Sequence, residues 1–109
     1  MDKLYFTITG TKYRFGTAFM KPEMKVTLKK EPDNEYDPEA ICVSMEGLGK
    51  VGYVANSPHT IQGKSLSAGR LYDKIGDEAN GTILYVLPEG VLCAVDEASI
   101  LHREELGRD

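Results

Sequence analysis

The chain has no tryptophan, two cysteines and two histidines among its 109 residues, and no apolar run approaches the roughly 20 residues a membrane-spanning helix requires. The start, Met1-Asp2-Lys3-Leu4, lacks the apolar core of a signal peptide, so a cytoplasmic location with no membrane partner is expected. Catalytic signatures are absent as well. There is no glycine-rich phosphate loop ending in Lys-Ser/Thr, no Gly-x-Ser-x-Gly, and no Cys-x-x-Cys or His-x-x-x-His ligand spacing. Nothing in the spacing of His59 and His102 brings them to Cys42 and Cys93 as a metal set. Each cysteine lies inside an apolar run, Ala40 to Met45 or Val91 to Val95, where a reduced thiol behaves as a small buried hydrophobe. The expectation is a protein that is not an enzyme and carries no cofactor.

Positive charge is also scarce overall, with a net charge of −4, which argues at first sight against a phosphate-rich partner. Its distribution is uneven. Residues 1 to 30 hold seven cationic side chains (Lys3, Lys12, Arg14, Lys21, Lys25, Lys29, Lys30) against Asp2 and Glu23, whereas the remainder holds six cations and fifteen anions. One basic surface on an acidic protein suits a small, localised nucleic-acid contact, or merely a solvated lysine edge that resists aggregation.

What is present is strand-like. Leu4 to Ile8 is β-branched and aromatic, and Met24 to Lys29 alternates strictly, with Met24, Val26 and Leu28 on one face and Lys25, Thr27 and Lys29 on the other. Ala40 to Met45 and Lys50 to Ala55 flank a glycine-containing hairpin connection, and Gly52 marks a bulge or a close backbone approach. Thr82 to Leu87 and Val91 to Val95 form a last hairpin around Pro88-Glu89-Gly90. Asn56-Ser57-Pro58 offers a helix start that Gly63 soon interrupts, and Ser67 to Ile75 is the better helix candidate. Two loops stand out. Lys12-Tyr13-Arg14-Phe15 is a basic and aromatic tip near Gly10 and Gly16, and Glu31 to Pro38 is dense in proline and Asx turn formers.

At this length the chain suits one domain able to bury its own core. The expected fold is all-β with one or two short helices: a compact OB-like or SH3-like β-barrel of about six strands, with a split β-sandwich as the alternative. The barrel is expected over residues 1–98 and a charged tail over 99–109. Val26, Leu28, Ile41, Val43, Val51 and Ile83 are its expected core.

The run Val26-Thr27-Leu28-Lys29-Lys30-Glu31-Pro32-Asp33-Asn34-Glu35-Tyr36-Asp37-Pro38-Glu39-Ala40-Ile41-Cys42-Val43, followed by Gly49-Lys50-Val51-Gly52-Tyr53-Val54, resembles the HIRAN family. The ordered match spans about two thirds of the chain, which is more specific than any short motif. The whole chain is most similar to the form found alone in bacteria, the others being fused to helicases. The resemblance implies an OB-like barrel and a module that captures the 3′-hydroxyl end of single-stranded DNA in repair or replication, with helicase or repair proteins as possible partners. By motif it assigns the contact residues Lys12, Tyr13, Asn34, Tyr36, Asp37 and Tyr53. A helicase-linked lysine contact falls on Asn56, so one phosphate-binding cation is missing here.

The residue chemistry suits such a ligand. Tyr13 and Tyr36 can stack a base, Lys12 can meet a phosphate, and Asp37 can accept from a terminal hydroxyl while repelling a terminal phosphate. Each also has a plain structural reading: Asp37 as a turn cap, Tyr36 as a barrel-corner aromatic, Tyr53 as a half-buried strand residue. Two further function classes remain: a protein-interaction scaffold barrel that does not bind nucleic acid, and a metal-dependent hydrolase built on Asp33, Asp37 and Glu39. An acidic turn explains that last cluster more simply. Folding is expected to be independent of metal. Stoichiometric zinc in protein purified without added metal, with unfolding on chelation, is the result that would overturn this.

Overall fold

Alternation along Lys25–Lys30 becomes a strand whose Val26 and Leu28 face a closed interior. The structure is a computed structural model and describes residues 3–101. Its strands are β1 (Tyr5–Thr9), β2 (Lys25–Lys30), β3 (Ile41–Met45), β4 (Gly49–Val54), β5 (Glu78–Leu87) and β6 (Gly90–Val95), with one short helix, α1 (Ala68–Tyr72), between β4 and β5. They run in the order β1-β4-β3-β2-β5-β6 and close on themselves, every pair antiparallel. This is the OB-like barrel expected rather than the sandwich, and each of the six strands has a partner on both sides. All six expected core residues are buried, joined by Phe6, Ile8, Leu71, Ile75, Val91 and Cys93.

Three elements differ from expectation. β5 starts at Glu78, not at Thr82. Asn80-Gly81 has the composition of a turn but lies opposite Thr27 and Val26 of β2. Gly81 suits that position because a Cβ would sit 3.0 Å from Ala94 O and 3.1 Å from the Phe6 ring, closer than side chains ordinarily pack. No helix forms at Asn56-Ser57-Pro58. Ser57 heads a turn instead, its carbonyl accepting from Thr60 N at 2.9 Å. The cause is barrel closure, since β1 and β4 pair only through Ile8–Val54 and Thr9–Tyr53 and leave the carbonyls of Tyr5 and Thr7 open. Leu66 N and Ala55 N donate to those two carbonyls, both at 2.8 Å, and Gln62 N donates to Thr7 Oγ1 at 3.0 Å. The stretch thus seals the barrel wall. Finally, α1 is shorter than the expected Ser67–Ile75. Ser67 caps it by accepting from Arg70 N, and it ends at Asp73.

Cys42 and Cys93 are free and buried. Burial pushes the Cys93 thiol up to about 12. In the expected tail, Ile100 bridges to Ile75 and Leu101 N donates to Lys74 O at 2.9 Å; residues 102–109, including His102, lie outside the described residues.

At Gly52 the backbone of β1 lies within the space of a side chain. A Cβ there would lie 2.6 Å from Thr9 O and 2.8 Å from Ile8 Cγ2, so backbone must move to admit one. Gly52→Ala should cost about 1–3 kcal/mol, the range for an overpacked interior. At roughly 4–8 °C per kcal/mol for a domain of this size, thermal unfolding followed by circular dichroism should show a clear fall in Tm. An unchanged Tm would mean the wall yields freely at this point.

Candidate functional site

Opposite Gly52 the β3–β4 register slips: Val43 pairs with Gly52 but Ser44 with Lys50, leaving Val51 as an extra residue. Such a bulge inverts the side-chain alternation after it. Val51 and Val54 both face the core although they are three residues apart, and Lys50 and Tyr53 both face outward for the same reason. The outward row through Tyr53 runs from Thr9 on β1 through Cys42 on β3 to Lys29 on β2.

On this face Glu31 is a hub. Its Oε1 accepts from Asn34 Nδ2 at 3.0 Å and from the Tyr53 hydroxyl at 2.8 Å, and Lys50 donates to that same hydroxyl at 2.7 Å. Lys50 Nζ also lies 3.5 Å from Glu31 Oε2. Partial desolvation opposes the Glu31 charge, but the bonds from Asn34 and Tyr53 and the Lys50 charge outweigh it and hold the carboxyl below its ordinary range. The bond to Tyr53 holds Lys50 above its ordinary range against some desolvation.

The β2–β3 loop is fixed from the hub outward. Asn34 Oδ1 accepts from the backbone N–H of both Tyr36 (2.9 Å) and Asp37 (3.0 Å), an Asx turn. Asp37 Oδ1 accepts from Glu39 N at 2.9 Å, and its Oδ2 from Asn56 Nδ2 at 2.9 Å. Asn56 Oδ1 in turn accepts from Gly69 N at 2.9 Å. The side chains of Asn34 and Asp37 are thus tied down, while the Tyr36 ring between them is left 89% exposed. A flat aromatic face is thereby presented to solvent on a braced backbone, in a form that can stack a ligand ring without first ordering the loop.

The candidate residues divide between two clefts. Asn34, Tyr36, Asp37 and Tyr53 line one of about 420 Å³, floored by Ala40 and Val54. Lys12 and Tyr13 line another of about 540 Å³, between the tip and the Pro88-Glu89-Gly90 turn. The tip makes a 3₁₀ turn, Thr11–Tyr13, and packs on β4; Tyr13 is 77% exposed and Lys12 Nζ lies 5.2 Å from its ring centre. Tyr53 links the two clefts, since it lines the first and pairs with Thr9, where the tip begins. Asn56 lines neither and acts as a bridge from Asp37 to α1.

Part of the amino-terminal positive charge is engaged within the fold. Lys25 pairs with Asp96 at 3.2 Å, and Lys30 donates to Ile75 O at 2.8 Å with its ammonium 4.5 Å from the Tyr72 ring. Among the described residues no three of His, Cys, Asp and Glu gather as a metal-holding group, and no helix is long and apolar enough to cross a membrane. Glu31 and Lys50 fall inside the motif run but are not among the contact residues assigned from it. The alternation that sends Lys25, Thr27 and Lys29 outward sends Glu31 outward too, and that is the one local signal of its position.

Residues 1–88 match the HIRAN domain family. The fold is similar to the crystal structure of the HIRAN domain of human HLTF, with a TM-score of 0.58 and 18% identity over 85% of this chain and 74% of that one. It is also similar to a protein from Lactobacillus plantarum, with a TM-score of 0.54 and 24% identity over 87% of this chain and 95% of that one. At these identities the likeness is one of fold. No curated protein matches the sequence.

The Glu31 hub makes stability depend on pH in a defined direction. A carboxyl held below its unfolded value near 4.5 contributes above that value, and the contribution is lost as pH falls through the folded pKa. Glu31→Gln should therefore lower stability near neutrality, with the difference from the unaltered chain closing as pH falls below 4.5 and through the lower folded pKa. Urea unfolding at stepped pH measures this. A pH-independent difference would show that the charge of Glu31 is immaterial to the loop.

Proposed function

The chain belongs to the HIRAN domain family, and on that footing we propose that it is a non-catalytic DNA-binding module that grips the free 3′-hydroxyl end of a single strand. The observation that carries this reading is the exposed Tyr36 ring on a braced loop, beside the Asp37 carboxylate in one cleft. The terminal base stacks on Tyr36. Stacking of this kind is worth on the order of 1–3 kcal/mol per base and tolerates any sequence.

Asp37 reads the end group. Each of its oxygens holds one hydrogen bond from the protein, and each keeps acceptor capacity for a ligand hydroxyl. The partner at Asn56 is a neutral amide, so the carboxylate charge is oriented without being cancelled. A 3′-hydroxyl donates to it, whereas a 3′-phosphate meets like charge, and discrimination comes mainly from that repulsion. The missing cation at Asn56 thus lowers affinity and sharpens end selection together. Lys12 at the tip meets a phosphate further along the strand. On the same reading the module works beside helicase or repair proteins inside the cell.

The test is fluorescence anisotropy with matched oligonucleotides ending in a 3′-hydroxyl, a 3′-phosphate or a hairpin. Binding should be weak, micromolar or poorer, about −8 kcal/mol or less favourable, and the 3′-hydroxyl strand should bind best. Tyr36→Ala should weaken all ligands alike, by roughly tenfold or more. Asp37→Ala should narrow the gap between hydroxyl and phosphate ends, and Asn56→Lys should narrow it while tightening both. Equal affinity for all three ends would sink the end-reading mechanism, and no binding at low salt would favour a protein-interaction barrel.

A further inference from the structure

The candidate cleft has an aromatic and an anion, but no free cation among the residues lining it. Lys50 is occupied by Tyr53 and Glu31, Lys30 by Ile75 O and the Tyr72 ring, and Asn56 is uncharged. A strand stacked on Tyr36 must still carry its phosphates away over some part of the surface. The loop side is closed to it by Asp33, Glu35 and Glu39, three exposed carboxylates. Tyr53, which lines the cleft and pairs with Thr9 where the tip begins, offers it one route, toward the tip.

We propose that Arg14 is the residue that receives a backbone phosphate of the bound strand there, supplying the cation that position 56 lacks. Resting on the function proposed above, this assigns Arg14 a role that the basic-aromatic motif gives to its neighbours. Three observations support it. Arg14 closes the 3₁₀ turn, its own N–H donating to Thr11 O at 2.9 Å, and Gly16 N donates to the same carbonyl at 2.9 Å, so the backbone that carries it is fixed. It is exposed and forms no ion pair among the described residues, leaving its guanidinium donors for a ligand. The 3₁₀ turn that Arg14 closes also packs on β4, the strand that carries Tyr53.

Arginine suits the task. Its planar fork grips a phosphate through two parallel hydrogen bonds, which a lysine ammonium cannot do. Lys12, earlier in the same tip, lines the other cleft. The tip therefore offers two cations to two different stretches of backbone.

Removing one phosphate contact from a single-strand complex should flatten the slope of log K against log salt by about 0.7 and weaken binding about fivefold at 0.1 M salt. The experiment compares the unaltered chain with Arg14→Gln and Arg14→Lys, using a fluorescent 3′-hydroxyl oligothymidylate titrated from about 25 to about 200 mM salt, with thermal melts to confirm the fold. Arg14→Gln should show the shallower slope and the loss. Arg14→Lys should keep the slope and lose part of the affinity, as expected when charge remains and the fork is gone. Combining Arg14→Gln with Lys12→Gln should flatten the slope twice over. If the unaltered chain binds and Arg14→Gln matches it in affinity and slope, the assignment of Arg14 is wrong while the module's function stands. If the unaltered chain binds no strand even at the lowest salt, both fall.

Discussion

A single extra residue in β4 sets the surface chemistry of this barrel. Without the slip at Val51, Lys50 and Tyr53 would emerge on opposite faces, and the relay from Lys50 through the Tyr53 hydroxyl to Glu31 could not form. Gly52 makes the slip possible by letting β1 approach its backbone within the space of a Cβ. The same glycine lets the chain leave Thr9 close to β4 and place the tip on it. Barrel curvature and site geometry therefore have one origin, consistent with the general concentration of bulges beside functional sites.

From that slip the order propagates outward. Glu31 sits at the end of β2, and its N–H donates to Ala40 O at 2.9 Å, closing the base of the loop. Its carboxylate then ties the loop, through Asn34, to the strand, through Tyr53. An exposed aromatic on a mobile loop would lose conformational entropy on stacking; one on a braced loop has already lost it in folding. The bracing is electrostatic and partly exposed, with Lys50 and Glu31 side chains at 30% and 29% of full accessibility. The ion pair alone is worth little in such a setting. Its value lies in orienting Tyr53 and Asn34.

Much of this was legible in the sequence, for reasons that differ by residue. Val26 and Leu28 alternate with lysine and threonine because one face of β2 is core and the other solvent, and that pattern is local. Gly52 was legible because glycine weakens a strand, so its presence inside one points to a bulge or a crowded backbone. The start of β5 was not, since Asn80-Gly81 looks like a turn until the Phe6 ring that needs the space is known, and Phe6 is distant in sequence. The segment from Asn56 to Leu66 misled for a similar reason. Its hydrogen bonds go to β1 carbonyls left open by a short β1–β4 seam, a demand that no local pattern announces. At the loop, motif and turn chemistry singled out Asn34, Tyr36 and Asp37, whereas Glu31 and Lys50 act through contacts made only in the folded barrel. The role of Asn56 changed most, from a lost cation to the amide that aims Asp37.

On the function proposed, this acidic chain faces a constraint that a track-binding protein does not. Long basic tracks gain affinity from many phosphates, and with it they gain indifference to position along the strand. Here the cations are spent differently. Lys25, Lys30 and Lys50 are bound up within the fold, while Asp33, Glu35 and Glu39 surround the loop and disfavour phosphates near it. Internal stretches of a strand, with a phosphate on both sides of every base, meet that repulsion twice. On the function proposed, a terminal nucleotide with a free hydroxyl meets it once and donates a hydrogen bond to Asp37, the carboxylate that would repel a terminal phosphate. The negative charge that seemed to argue against a nucleic-acid partner is, on this account, what restricts the partner to its end.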